Sequence, residues 1–131
     1  MTDQSSSSKP TGIEVRRQVM GDAFVDRSMG NATELTRPFQ DFVNEHAWGA
    51  VWNRGGLELK TRSLITLAAL TSLKCPQELK GHVRGALNNG CTVDEIRDTL
   101  LHCAVYAGVP AAMEAFRAAQ EVIDSYTAEA R

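Results

Sequence analysis

Excess charge of one sign, paired cysteines and long apolar runs are all missing from this chain. Its 131 residues set 14 Lys and Arg against 16 Asp and Glu, a net charge of −2. So even a balance supplies no basic field, so a nucleic-acid partner held through phosphates is not expected. No apolar run approaches the roughly 20 residues that a membrane span needs, so no membrane partner is expected either. The opening MTDQSSSSKP has no apolar core that could serve as a signal sequence, and the expectation is a soluble cytoplasmic protein. Three cysteines, Cys75, Cys91 and Cys103, form an odd set without the paired spacing of a metal site. They suit a reducing compartment, with Cys91 and Cys103 read as small buried apolar residues. Histidine is equally sparse. His46, His82 and His102 make no HxxxH or HExxH pair, and no metal site is expected.

Helical periodicity is what the chain does have. A length of 131 residues fits one domain that buries roughly two-thirds of its unfolded surface. Residues 1–11 read as a disordered polar tail and 12–131 as a single domain. A short charged helix is expected from Gly12 to about Gly21, then an extended or irregular linker from Asp22 to Asn31. A second helix starts near Pro38, with Phe39, Phe42, Val43, His46 and Ala47 recurring as one apolar stripe. Trp48 and Trp52 extend it until Gly55-Gly56. A third helix, about Thr61 to Leu73, has few polar faces and should be central. Pro76 opens a fourth, which Gly90 caps. Thr92-Val93-Asp94-Glu95 has the spacing of a capping box for a fifth that reaches about Ala107. Pro110 starts a sixth, striped by Ala112, Ala115, Phe116, Ala119, Val122 and Ile123. Nothing alternates with a strand period over useful length, so the expected class is all-α with six helices. Two nearly all-apolar helices leave more apolar surface than so small a chain covers, and a homo-oligomer is expected.

The most chemically suggestive stretch is Glu78-Leu79-Lys80-Gly81-His82. Four residues apart on a helix share a face, so Glu78 can stand beside His82 as a carboxylate-imidazole pair, with Cys75 a further turn back. An ionisable cluster at the margin of an apolar helix suggests a site.

That stretch, with Ala47-Trp48-Gly49, Trp52-Asn53-Arg54, Thr61-Arg62-Ser63-Leu64, Ala86-Leu87-Asn88-Asn89-Gly90, Leu101-His102-Cys103 and Tyr106-Ala107-Gly108-Val109-Pro110-Ala111-Ala112, resembles the carboxymuconolactone decarboxylase family. The likeness runs from about Gly12 to Ile123. It implies an orthogonal, bundle-like subunit of the hydroperoxide reductase D type, assembled as a ring-shaped homo-oligomer, a trimer or commonly a hexamer. It also implies a cofactor-free carboxy-lyase that converts 4-carboxymuconolactone, a small dicarboxylate lactone, to β-ketoadipate enol-lactone in protocatechuate catabolism. One position departs from the family pattern. The acid that usually follows the Trp-Gly pair is Ala50 here, and the proline expected farther on is Gly55.

Loss of carbon dioxide from such a lactone leaves an electron pair that spreads into the ring carbonyl. Catalysis then needs cations for the carboxylates, donors for the developing oxyanion and an acid that protonates carbon. His82 is the first choice for that acid, since imidazole exchanges protons near neutral pH; a helix-border histidine bonded to a carbonyl is the plainer reading. Glu78 would orient His82 or favour its charged form, or else serve as an ordinary first-turn glutamate. Arg54 and Arg62 are candidates for carboxylate binding through their planar, permanently charged forks, against simple surface solvation. Trp48 would roof the pocket, against a role in the core. His102 reads as a satisfied core histidine, and Arg84 faces away from His82.

The peroxidase-like branch of the superfamily pairs two cysteines ahead of its histidine. Here Cys75 takes the first position and Glu78 stands in the second, which leaves no dithiol. A one-cysteine, thiol-dependent peroxidase, its Cys75 thiolate favoured by a helix start, is the alternative function. A non-catalytic homologue that binds a small anion is another.

Overall fold

Helices carry the computed structural model, which describes residues 9–130, and no strand occurs among the described residues. Most of the segment read as a disordered tail, residues 1–8, lies outside them. The described chain forms seven α-helices and one π-helical segment, not six helices, and divides into two compact units between Leu57 and Glu58. No described helix is long and apolar enough to cross a membrane.

In the first unit, α1 spans Gly12–Met20 and starts with a capping box. The Glu14 amide donates to Thr11 Oγ1 at 3.3 Å and the Thr11 amide to Glu14 Oε1 at 2.7 Å. Gly21 then breaks the helix at φ +91°, a conformation that needs no Cβ, and α2 (Asp22–Gly30) restarts at once. A helix thus stands where a linker was expected. Asp22 and Asp26, one turn apart, both reach the Arg17 guanidinium, at 3.0 and 2.9 Å. Val25 is fully buried, which anchors the same turn.

The single helix expected through residues 36–52 also divides. An α-helical turn and a half, α3 (Arg37–Phe42), passes without interruption into a π-helical segment, Val43–Trp52. Aromatic rings four residues apart meet along it. Trp48 and Trp52 stack with ring centroids 4.7 Å apart, and Phe42 meets His46 at 4.6 Å. The predicted apolar stripe is largely solvent-facing, for Phe39 and Phe42 are 62% and 57% exposed while Trp48 is the buried residue of the segment. Helix α1 crosses this segment so closely that a Cβ on Gly12 would lie 1.9 Å from the Asn44 carbonyl oxygen. Next to that crossing, buried Arg16 donates to Gln40 Oε1 at 3.0 Å and Asn44 Oδ1 at 2.8 Å. Its partners are neutral and its burial lowers the guanidinium pKa.

The second unit comprises α4 (Leu59–Ser72), α5 (Pro76–Asn88), α6 (Val93–Tyr106) and α7 (Val109–Glu129). Leu67, Leu79, Val83, Ile96, Leu100 and Ala115 meet in its core, each no more than 2% exposed. Helix α4 is central, as its composition predicts, though its buried face is Ser63, Leu67 and Thr71 rather than the whole circumference. The two hydroxyls on that face are satisfied. Thr71 Oγ1 donates to the Leu67 carbonyl at 2.8 Å, and Ser63 Oγ accepts from Asn89 Nδ2 at 2.9 Å. Asn89 also donates to the Leu59 carbonyl at 3.3 Å, which fastens the end of α5 to the start of α4. The predicted box at Thr92 and Glu95 opens α6. Gly90 and Gly108, at φ +91° and +102°, turn the chain on either side of it.

Candidate active site

Helix α5 begins just after Lys74, a non-glycine residue at φ +59°, with Pro76 in its first turn. The reversal leaves Cys75 at the helix start, half-buried, its Sγ donating to the Leu73 carbonyl at 3.6 Å. From there, Leu79, Val83 and Ala86 form the inward face. Glu78 and His82 each precede one of the buried pair Leu79 and Val83, so they occupy the flank of that face. His82 is accordingly half-buried, with its Nδ1 screened from solvent. Glu78 is exposed, one helical turn before His82. The two share a face, as their spacing predicts.

Arg62, on the first turns of α4, is also half-buried, its Nε screened from solvent. Its amide donates to the Glu58 carbonyl at 3.0 Å, and its own carbonyl accepts from Thr66 Oγ1 at 2.8 Å. The second unit therefore contains Arg62, Glu78 and His82, on two helices that the Asn89 clasp fastens together. The first unit contains the other two candidates. Trp48 is 5% exposed and stacked on Trp52, while Arg54 is exposed on the turn after the π segment. Trp48, Trp52, Arg62 and His82 each take part in further noncovalent interactions, so none of the four is a free side chain.

Arg84 is held elsewhere, as its position on α5 suggests. Its guanidinium forms a two-pronged pair with the Glu129 carboxylate, one contact being Nη1 to Oε2 at 2.8 Å, and lies 5.2 Å from the Tyr126 ring centre. The pairing raises the Arg84 pKa and lowers that of Glu129. His102 is not a core histidine. It is exposed on α6 and packs against Tyr106 with ring centres 5.0 Å apart. The expected burial of Cys91 and Cys103 is observed, and burial pushes both thiols up.

A feature that the apolar-stripe reading hid is an open cleft of about 450 Å³ in the first unit. Glu45, His46, Ala50, Asn53 and Thr11 line it, with Gly12 and Gly49 among its small residues. His46 Nε2 stands 3.7 Å from Glu45 Oε2 on its wall. Two adjacent polar residues inside an aromatic stripe were the available signal.

Residues 37–121 match the family model described as the carboxymuconolactone decarboxylase family. The chain belongs to the carboxymuconolactone decarboxylase family. Among its relatives in that family is a 4-carboxymuconolactone decarboxylase of Acinetobacter baylyi, 46% identical over 85% of this chain and 83% of the relative. A nitrosuccinic acid decarboxylase of Metarhizium robertsii is 48% identical over 86% of this chain and 79% of its own length. A third relative, an uncharacterized 15.0 kDa protein of Paracoccus denitrificans, is 41% identical over 57% of this chain. The first two are decarboxylases named for different substrates, and each aligns with most of this family member.

Proposed function

We propose that this protein is a cofactor-free carboxy-lyase that decarboxylates 4-carboxymuconolactone to the β-ketoadipate enol-lactone, in aromatic catabolism in the cytoplasm. The observation that carries this reading is 46% identity to a decarboxylase of that name across 83% of the relative's length. In the proposed reaction, the bond between the ring carbon and the departing carboxylate breaks and its electron pair enters the lactone carbonyl. His82 then donates a proton to carbon. The screening of its Nδ1 from solvent suits a proton held for substrate rather than exchanged with bulk water. Arg62, part-buried and permanently charged, holds the carboxylate that remains, and Arg54 attracts the dianion from its exposed turn. Glu78, one turn earlier on the same face of α5, orients His82 or favours its charged form. The working protein is a ring-shaped homo-oligomer, a trimer or hexamer, of subunits of the hydroperoxide reductase D type.

The nitrosuccinic acid decarboxylase relative, at 48% identity, favours a second substrate on the same machinery. Nitrosuccinate is also a dicarboxylate, and one of its carboxylates sits on the carbon that bears the nitro group. When that carboxylate leaves, the electron pair enters the nitro group as a nitronate, and one proton to carbon completes the reaction. Both substrates thus ask for an electron sink beside the leaving carboxylate, a cation for the other and one acid. NMR-monitored turnover of each compound separates the two readings. Conversion of the lactone alone supports the first, conversion of nitrosuccinate alone supports the second, and conversion of neither by folded protein overturns both.

A further inference from the structure

A permanent cation in the first unit is buried with no negative charge beside it. Arg16, on the buried face of α1, is 7% exposed. The hydrogen-bond partners of its guanidinium among the described residues are amide oxygens, Gln40 Oε1 and Asn44 Oδ1. The carboxylates of the same unit are engaged elsewhere or stand in solvent. Asp22 and Asp26 pair with Arg17, Glu14 accepts from the Thr11 amide, and Glu45 lies beside His46. Glu34 and Asp41 are exposed, and no ion pair includes Arg16 among the described residues. Neutral oxygens orient toward a cation without cancelling its charge. A guanidinium in this position is therefore unfavourable to bury until an anion joins it.

The orientation of the guanidinium shows where that anion fits. Both amide oxygens are bound by Nη1, whereas Nε is screened from solvent and has no hydrogen-bond partner among the described residues. The Nε–H and the adjacent Nη2–H point the same way. They form the edge against which the two oxygens of a carboxylate fit side by side. One uncompensated charge calls for one negative charge, since a dianion would exchange one buried excess for another. The open cleft begins close by. Gly12, one turn before Arg16 on α1, lines it, and Asn44, which binds Arg16, directly precedes its wall residue Glu45. We infer that the Nε–Nη2 edge of Arg16 is a binding site for the carboxylate of a small monocarboxylic acid. Each decarboxylation considered above turns a dicarboxylate into an acid of this class. The site is read from the first unit alone and is independent of which reaction is catalysed.

The test is the proton–nitrogen correlation spectrum of the full chain carrying nitrogen-labelled arginine, with the Arg16 Nε–H assigned through its bonds to the backbone. Sodium acetate, sodium chloride and sodium sulfate are added at matched ionic strength. Acetate should move the Arg16 Nε–H along a saturating curve, while chloride and sulfate leave it in place. Acetate should also raise the thermal transition of wild type. In Arg16→Lys, which keeps the charge without the two-pronged edge, the half-saturating acetate concentration should be roughly 10- to 100-fold higher. A wild-type Nε–H that acetate moves no further than chloride does overturns the inference, whether the edge is empty or already filled by a carboxylate of a neighbouring copy. Equal saturation by sulfate overturns the assignment to a monocarboxylate. The readout is binding, so either failure leaves the decarboxylase reading to its own test by turnover.

Discussion

At the scale of the residue, position alone turns an ordinary imidazole into a candidate acid. His82 sits where the buried face of α5 meets its exposed flank, so one ring nitrogen is kept from water while the residue as a whole remains accessible. Removal of the ring should therefore cost turnover without unfolding the helix. For His82→Ala we expect a fall in kcat of roughly 10²–10⁴, the range of a placed general acid, with an unchanged thermal transition. Cys75 provides the contrast. It lies a turn before Glu78, with its thiol engaged by the Leu73 carbonyl. Cys75→Ser should leave decarboxylation within about twofold of wild type, since the thiol has no part in the proposed proton transfer. Loss of activity in that variant would restore the thiol-dependent alternative. The spacing of Glu78 and His82 was legible in the sequence, and so was the marginal position of His82. The rotamers of the two side chains were not legible, because spacing specifies a shared face and no more.

At the scale of the element, the start of each well-capped helix was legible and the interruptions were not. The box at Thr92 and Glu95 can be read from four letters because each side chain satisfies the other's backbone amide locally. It also gives α6 an acid-sensitive start. The Glu95 carboxyl is held below its ordinary range, first by the hydrogen bond from the Thr92 amide and then by Lys60 at 3.1 Å. A depressed folded-state value means that this contribution is present above the unfolded carboxylate pKa of about 4.3 and is lost as pH falls through the lower folded value. In thermal melts from neutral pH to about pH 3, Glu95→Gln should thus lose less stability on acidification than wild type; equal losses would contradict this. The helix α2 depends instead on a three-residue ion cluster across a glycine break, and propensity carries no trace of it. Likewise the π segment is tied to the crossing of α1, where Gly12 meets the Asn44 carbonyl. Because the obstructing atoms are backbone, Gly12→Ala should destabilise the protein by about 1–3 kcal/mol or more, read as a lower denaturant midpoint. An unchanged midpoint would mean that the crossing is looser than described.

For the molecule as a whole, helical periodicity and the absence of strand patterning were enough for the all-α class. Family membership required the spacing of several motifs, and residues 37–121 bear it out. Exposure was harder to anticipate. Phe39 and Phe42, and Leu101, Val105 and Met113, look like core from sequence, yet all five are exposed. Periodicity reports that a face is apolar; it does not report whether the covering surface belongs to the same chain.

The central claim is that this chain removes a carboxylate beside an electron sink, with His82 as the acid. It is tested most directly by following 4-carboxymuconolactone and nitrosuccinate by NMR with wild type and His82→Ala side by side. Turnover of at least one compound by wild type, lost by roughly 10²–10⁴ in a folded His82→Ala, is the predicted result. Turnover at the wild-type rate in His82→Ala would contradict the assignment of the acid, and no turnover of either compound by folded wild type would contradict the reaction itself.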